Sequence, residues 1–258
     1  MGYLSMSLKD SIATVTLHRP PANALSSKVL TELANILDEI EQQDEVKVVV
    51  LQGEGRFFAA GADIKEFTQV ETGKEFAKLA RKGQLLFNRI ESFKKPIICA
   101  IHGAALGGGL ELVMACHIRL ATDDAKLGLP EMQLGLIPGF AGTQRLPRLV
   151  GKAKALEMIL TSEPITGKEA VSWGLVNASY PDETQLFEQA QLLASKIAAK
   201  SSVTVELLLE AFTYVGDSNF DLGVEKEAKL FGKAYDSYDG KEGIQAFIEK
   251  RKPEFKNK

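Results

Sequence analysis

Residues 46–52 (VKVVVLQ) and 97–101 (IICAI) are strongly apolar runs with little alternation. A strand with one wet face alternates polar and apolar residues, so a run that does not alternate must be covered on both sides. Two such strands require helices above and below one sheet, and the segments around them supply helices. Ser26 or Ser27 can cap a helix through about Gln42, with Leu30, Leu33, Ala34, Leu37 and Ile40 on one face. Residues 72–93 repeat that spacing with Phe76, Leu79, Leu86, Phe87 and Ile90, and Lys94, Lys95 and Pro96 end it. The run Gly107-Gly108-Gly109 opens a third, apolar helix through about Cys116, and residues 12–17 and 118–121 read as further strands. Strands alternating with helices up to about residue 180 predict α/β units.

A loop-rich stretch from 125 to 150 follows, and from Gly151 onward the pattern is mostly helical: 152–160, 168–173, 183–200, 201–214, 224–235 and 240–252. The expected division is a core with the active site over 1–195 and a helical C-terminal subdomain for oligomerisation over 196–258. That tail carries Leu207, Leu208, Leu209, Phe212, Leu230, Phe231 and Phe247, more apolar side chains than a few helices can bury among themselves.

Composition narrows the function. With 45% hydrophobic residues and a net charge of 31 − 34 = −3, the chain is no disordered segment. A pI near 5.8 is a poor footprint for nucleic acid. Cys99 and Cys116 lie in apolar segments and read as reduced core thiols, with no CxxC or Cys/His cluster for a metal. No apolar run reaches bilayer length, and the N-terminus lacks a basic segment followed by an apolar one. A soluble cytoplasmic protein without membrane or nucleic-acid partners is expected.

Common cofactor motifs fail on inspection. Gly53-Glu54-Gly55 follows a strand, but Phe58 stands where a dinucleotide fingerprint needs its third glycine. No P-loop and no GxSxG elbow occurs, and His18, His102 and His117 form no pair with ligand spacing. They read as hydrogen-bonded structural histidines.

Three stretches remain. Phe58-Ala59-Ala60-Gly61-Ala62-Asp63-Ile64-Lys65 follows a strand with residues small enough for a ligand to approach the backbone. The segment 102–111 (HGAALGGGLE) starts a helix on three glycines, whose free N–H groups suit an anion or oxyanion. The third is Leu129-Pro130-Glu131 with Gly135 to Arg145 (GLIPGFAGTQR). Taken alone, a glycine-rich helix start often serves only close packing, and a single glutamate is usually a solvated charge. Glu111 differs, because Leu110, Leu112, Val113 and Met114 surround it, and a carboxylate in such a segment needs a partner or a task.

These stretches, in this order and spacing, resemble the enoyl-CoA hydratase (crotonase) family over essentially the whole chain, most closely the bacterial fatty-acid β-oxidation hydratases. AAGADIKEF, HGAALGGGLEL, the PE after LGL, the PG..GTQRL run and the closing EGIQAFIEKRKPEFK carry the match. The resemblance implies a crotonase-like α/β spiral of repeated ββα units with a helical C-terminal subdomain, assembled as a trimer or a dimer of trimers.

It also implies a hydro-lyase that adds water to a trans-2-enoyl-CoA, giving the 3-hydroxyacyl-CoA, with no cofactor because coenzyme A belongs to the substrate. The backbone N–H groups of Ala62 and Gly108 would form the oxyanion hole. Glu111 would activate water and Glu131 would supply or remove the α-proton. Ala60, Gly61, Asp63, Ile64, Lys65 and Gly139 would bind substrate, and Phe247 and Lys250 would cover the adenine and 3′-phosphate, from a last helix that a neighbouring subunit can contribute. Retention of both glutamates favours hydration over the alternatives, a Δ3-Δ2-enoyl-CoA isomerase or a short-chain 3-hydroxyacyl-CoA dehydratase. The chain departs from relatives in lacking a lysine in HRPPANAL, in Phe140-Ala141 where relatives often read PGAGGTQRL, and in Leu129 before the PE.

Overall fold

The computed structural model describes residues 2–216 and 220–258. One six-stranded sheet organises it, in the order β1 (Leu4–Lys9), β2 (Ile12–Leu17), β3 (Val48–Gly53), β4 (Ile97–Ile101), β6 (Ile118–Thr122) and β9 (Ala178–Tyr180). Within this sheet, among the described residues, only the β1–β2 hairpin is antiparallel; from β2 onward its strands run parallel, with Val50 opposite Ile98 and Ile98 opposite Ile118. The apolar run of β3 is covered on both faces, as its sequence requires. Val48 and Val50 pack with Ile98, Ala100 and Leu120 under Leu186, Ala190 and Ala194 of α8 (Glu183–Ala198). Val49 and Leu51 face the larger core, beneath α1 (Ser27–Gln42), α3 (Gly73–Glu91) and α4 (Gly108–Ala115). Helix α8 thus belongs to the core layer and runs past residue 195.

A second sheet of β5 (Ala104–Leu106), β7 (Lys126–Gly128) and β8 (Ile165–Thr166) makes the coil visible. After each long strand the chain steps sideways into a short one and then into a helix. β4 leads to β5 and α4, and β6 leads to β7, a 3₁₀ turn over Pro130–Leu134 and α5 (Gly142–Val150). The earlier turns contribute single bridging residues: Leu25 pairs with Ala62, and Ala59 with Ala105. This is the expected crotonase-like spiral. Beyond it lie α6 (Lys152–Thr161), α7 (Gly167–Ser172) and the tail helices α9 (Ser202–Phe212), α10 (Phe220–Asp236) and α11 (Tyr238–Ile248). The short α2 (Ile64–Phe67) sits between β3 and α3.

Two elements depart from the sequence reading. β1 escapes it although Leu4, Met6 and Leu8 alternate with polar residues, because the strand is an edge with half-exposed side chains. α5 lies inside the stretch read as loop and contains Pro147; its buried Arg145, Leu146 and Val150 override the hydrogen bond the proline removes. Two of the histidines are structural as expected: Ile97 N–H donates to His117 Nδ1 at 3.0 Å, and His102 Nε2 lies 2.8 Å from the Gly55 carbonyl; His18 is exposed, with Nδ1 3.2 Å from Glu54 Oε2. Cys99 and Cys116 are free and buried.

Candidate active site

The spiral brings the three glycine-rich stretches to one cavity of about 150 Å³. Ala60, Gly61, Ala62 and Ile64 form one side, and Leu106, Gly107, Gly108 and Glu111 the second. Pro130, Glu131 and Leu134 with Leu136, Ile137, Gly139 and Phe140 form the third. Helix α3 closes the fourth with Phe76, Leu79 and Ala80, and Phe67 packs edge-on against Phe76 with ring centroids 4.8 Å apart.

Backbone geometry fixes which N–H groups face this space. In a trans peptide the C=O and the following N–H point in opposite directions. The Gly61 carbonyl accepts from Leu25 N–H at 2.8 Å, so the Ala62 N–H points away from Leu25. The Gly107 carbonyl accepts from Glu111 N–H at 3.0 Å, so the Gly108 N–H projects out of the open end of α4, where no intrahelical acceptor exists. The two donors are close: a Cβ on Gly108 would lie 3.5 Å from Ala62 N. Gly107 turns the chain into the helix at φ 50°, and a Cβ there would come within 2.7 Å of Glu131 Oε1. Both the left-handed turn and the close carboxylate call for glycine.

Glu111 is almost wholly buried, at 1% exposure. Its Oε1 accepts backbone N–H bonds from Phe140 at 2.8 Å and Gly142 at 2.7 Å, which fixes the carboxyl rotamer. Burial pushes its pKa up to about 8; the Gly142 N–H opposes that shift, the nearby Glu131 reinforces it, and the Phe140 N–H and the Arg145 charge oppose it. Burial raises Glu131 as well, and its Oε2 is buried with no hydrogen-bond partner. Two carboxyls with raised affinity for protons, one with an unused acceptor atom, face a cavity whose other walls are mostly apolar.

Outer residues hold both halves of the site. Arg145, also buried, donates to the Phe140 carbonyl at 3.1 Å, to Asn88 at 2.6 Å and to Glu91 at 2.9 and 3.0 Å. Arg19 pairs with Asp63 and donates to the Ala24 carbonyl at 2.8 Å, while Asn23 donates to the carbonyls of Glu54 and Phe57. Sequence reasoning passed over Arg19, Asn23 and Arg145 as positioning groups. The signal available was that each lies inside or beside a motif: HRPPANAL for the first two and GTQRL for the third.

Of the residues expected to contact substrate, Ala60, Gly61, Ala62, Ile64, Gly108, Glu111, Glu131 and Gly139 line the cavity. Asp63 does not: its Oδ1 caps Lys65 N–H at 3.1 Å and its other oxygen pairs with Arg19, so its carboxylate is committed to holding the loop. Lys65 is exposed beside the mouth, on α2. Phe247 and Lys250 are not brought to the cavity within one chain. α11 packs with α9 and α10, and Phe247, 85% exposed, borders a separate groove with Ser201, Asp239 and Phe255.

Comparison with known proteins identifies the family and the fold. A family model described as enoyl-CoA hydratase/isomerase matches residues 7–258. A probable enoyl-CoA hydratase of Bacillus subtilis is 57% identical over 256 residues, covering 99% of each chain. A short-chain-enoyl-CoA hydratase of Clostridium acetobutylicum is 42% identical over 97% of this chain and 96% of that one. Among solved structures, an enoyl-CoA hydratase of Geobacillus kaustophilus superposes with a TM-score of 0.96 at 32% identity, over 100% of this chain and 98% of the other.

Proposed function

The chain belongs to the enoyl-CoA hydratase/isomerase family, and from that membership we propose that it is an enoyl-CoA hydratase. It adds water to a trans-2-enoyl-CoA to give the 3-hydroxyacyl-CoA, as a step of fatty-acid β-oxidation. One observation carries the reading: Glu111 and Glu131 face the same apolar cavity as the outward-pointing N–H groups of Ala62 and Gly108.

The thioester oxygen is held by the Ala62 and Gly108 N–H groups, aided by the positive end of α4. Negative charge that gathers on that oxygen as the enolate forms is stabilised there, and one such donor typically accounts for ~10²–10³ in rate. The two carboxyls hold one proton between them, because burial and mutual repulsion raise the pair. That proton passes between Glu111 and Glu131 through the water they share, and the reactive form carries it on Glu131, leaving Glu111 ionised. Glu111 and Glu131 grip one water, for which the unpartnered Glu131 Oε2 is a ready acceptor. Glu111 takes a proton from that water as its oxygen attacks the β-carbon, Glu131 delivers a proton to the α-carbon, and the pair ends with one proton as it began. The roles exchange a proton through the shared water, so the titration belongs to the pair. The reaction requires no cofactor beyond the thioester.

Coenzyme A runs along the 60–65 loop, with Lys65 near its phosphates. The exposed Phe247 and Lys250 serve the site of a neighbouring copy, which gives the 196–258 tail a double role in assembly and binding. We place the enzyme in the cytoplasm as a trimer or a dimer of trimers. The test is turnover of crotonyl-CoA, read as loss of the conjugated enoyl-thioester absorbance, beside a 3-enoyl-CoA. Rapid hydration with slow isomerisation is expected; isomerisation without hydration would overturn the reading.

A further inference from the structure

Successive residues on one face of α3 line the cavity: Phe76, then Leu79 and Ala80. The next on that face, Gly83, does not, because the ring of Phe140 lies on it. A Cβ at Gly83 would come within 2.5 Å of the ring's Cδ1 and Cε1. The opposite edge of the ring faces α4, where a Cβ at Gly108 would lie 3.2 Å from Cδ2 and Cε2. Phe87 meets it edge-on with centroids 5.4 Å apart, and the ring is itself a cavity wall. Phe140 is therefore a wedge between α3 and α4, seated in a notch that only a glycine at 83 leaves open.

We propose that the Phe140 ring, seated on Gly83, sets the depth of the acyl cavity and makes short 2-enoyl thioesters the preferred substrates. The inference rests on the hydratase reading and deepens it. With the ring in place, the channel along α3 ends at Ala80; without it, the space continues over Gly83 toward Phe87. The ring also fills the room beside the oxyanion donor at Gly108, so a longer chain cannot fold back along that wall. Discrimination of this kind is a matter of excluded methylenes, each worth about tenfold or more in a tight pocket.

The experiment compares kcat/KM for crotonyl-CoA and trans-2-decenoyl-CoA in the wild type, Phe140→Ala and Phe140→Leu. The quantity read is the ratio of the two substrates within each protein. The Phe140 backbone N–H also holds Glu111, and any loss of alignment there lowers both substrates alike and cancels in the ratio. The wild type is expected to favour crotonyl-CoA at least tenfold. Phe140→Ala should lower that preference at least tenfold, and Phe140→Leu, the milder change if the alanine variant folds poorly, should lower it part of the way. Gly83→Ala, which presses the ring into the cavity, should raise it. A wild type that turns over both substrates equally, or a folded Phe140→Ala or Phe140→Leu with the wild-type ratio, overturns the proposal. A wild type that hydrates neither substrate overturns the hydratase reading itself, so the two failures are distinct.

Discussion

Arg145 donates to the carbonyl of Phe140 at 3.1 Å, from the far side of the turn whose N–H groups hold Glu111. The guanidinium is 4% exposed and is anchored on Asn88 and Glu91 of α3, so it ties the catalytic turn to the helix that walls the cavity. Arg145→Met should cost on the order of 1–3 kcal/mol in stability, because it leaves the buried Phe140 carbonyl without its donor, while Glu91, the charge partner, is half exposed and can be solvated. Its functional signature is separate. Arg145 lowers the pKa of Glu111, so its removal should move the alkaline limb of the pH–rate profile upward. An unshifted limb in a folded variant would show that the arginine acts on stability alone.

The two glutamates should each be indispensable. Glu111→Gln and Glu131→Gln are expected to lower crotonyl-CoA hydration by at least ~10²–10⁴. The double variant should be little worse than the worse single one, because both groups act on one water. Near-normal kcat in either single variant removes that residue from the mechanism.

The same pair fixes the pH dependence. Hydration needs one protonated and one ionised carboxyl, so kcat/KM should be bell-shaped, with its alkaline limb near the value of about 8 to which Glu111 is raised. Stability follows with the opposite consequence for ordinary surface carboxylates. Glu111 binds its proton more tightly folded than unfolded, so it contributes nothing unfavourable below the ordinary value of 4.5. Its cost grows as pH rises toward about 8 and levels off above that. Glu111→Gln can keep both N–H bonds to Oε1 and removes the titration. It should raise Tm at pH 8 and leave it unchanged near pH 4. An equal shift at both values would mean that the carboxyl is not held neutral by the fold.

Gly108 has an ordinary negative φ, unlike Gly107, and stands at the first position of α4, where proline is tolerated. Gly108→Pro deletes the proposed oxyanion donor, at the expense of a slight press on the Phe140 ring. The far-ultraviolet circular dichroism should stay close to wild type while turnover falls by ~10²–10³ or more. Activity that survives in a folded variant would exclude Gly108 N–H from the oxyanion site.

What the sequence disclosed follows the range of the forces involved. The doubly covered strands were legible because Val48, Val50 and Ile98 cannot face water, whichever helix covers them. Glu111 was legible because a lone carboxyl among Leu110, Leu112 and Val113 violates the pattern around it. The spiral was legible only through the family resemblance: it resides in parallel bridges such as Ala59 to Ala105, between residues 46 positions apart, and no local periodicity encodes such pairing. Nor does any encode the notch that Gly83 offers to Phe140, or the pairing of Asp63, a motif residue whose carboxylate proves to be bound to Arg19.

Assembly is the last expectation the tail makes testable. Leu208, Phe212, Phe231, Phe247 and Ile248 are all exposed, at 57–85%, whereas α8 is already buried against the main sheet by Leu186, Ala190 and Ala194. The tail's exposed apolar side chains therefore begin with α9, after the core layer is complete, and their number fits the proposed role of the tail in assembly. Light scattering at micromolar concentration should give a trimer or hexamer mass, and a value near one 28.1 kDa chain would refute assembly. A chain ended at residue 200 keeps α8 and the cavity walls, all of which lie at or before Phe140, but loses the interface together with Phe247 and Lys250. It should be monomeric or aggregated, with KM for crotonyl-CoA raised because the neighbouring copy no longer closes the coenzyme A end. An unchanged KM in a soluble truncated protein would remove Phe247 and Lys250 from the binding site.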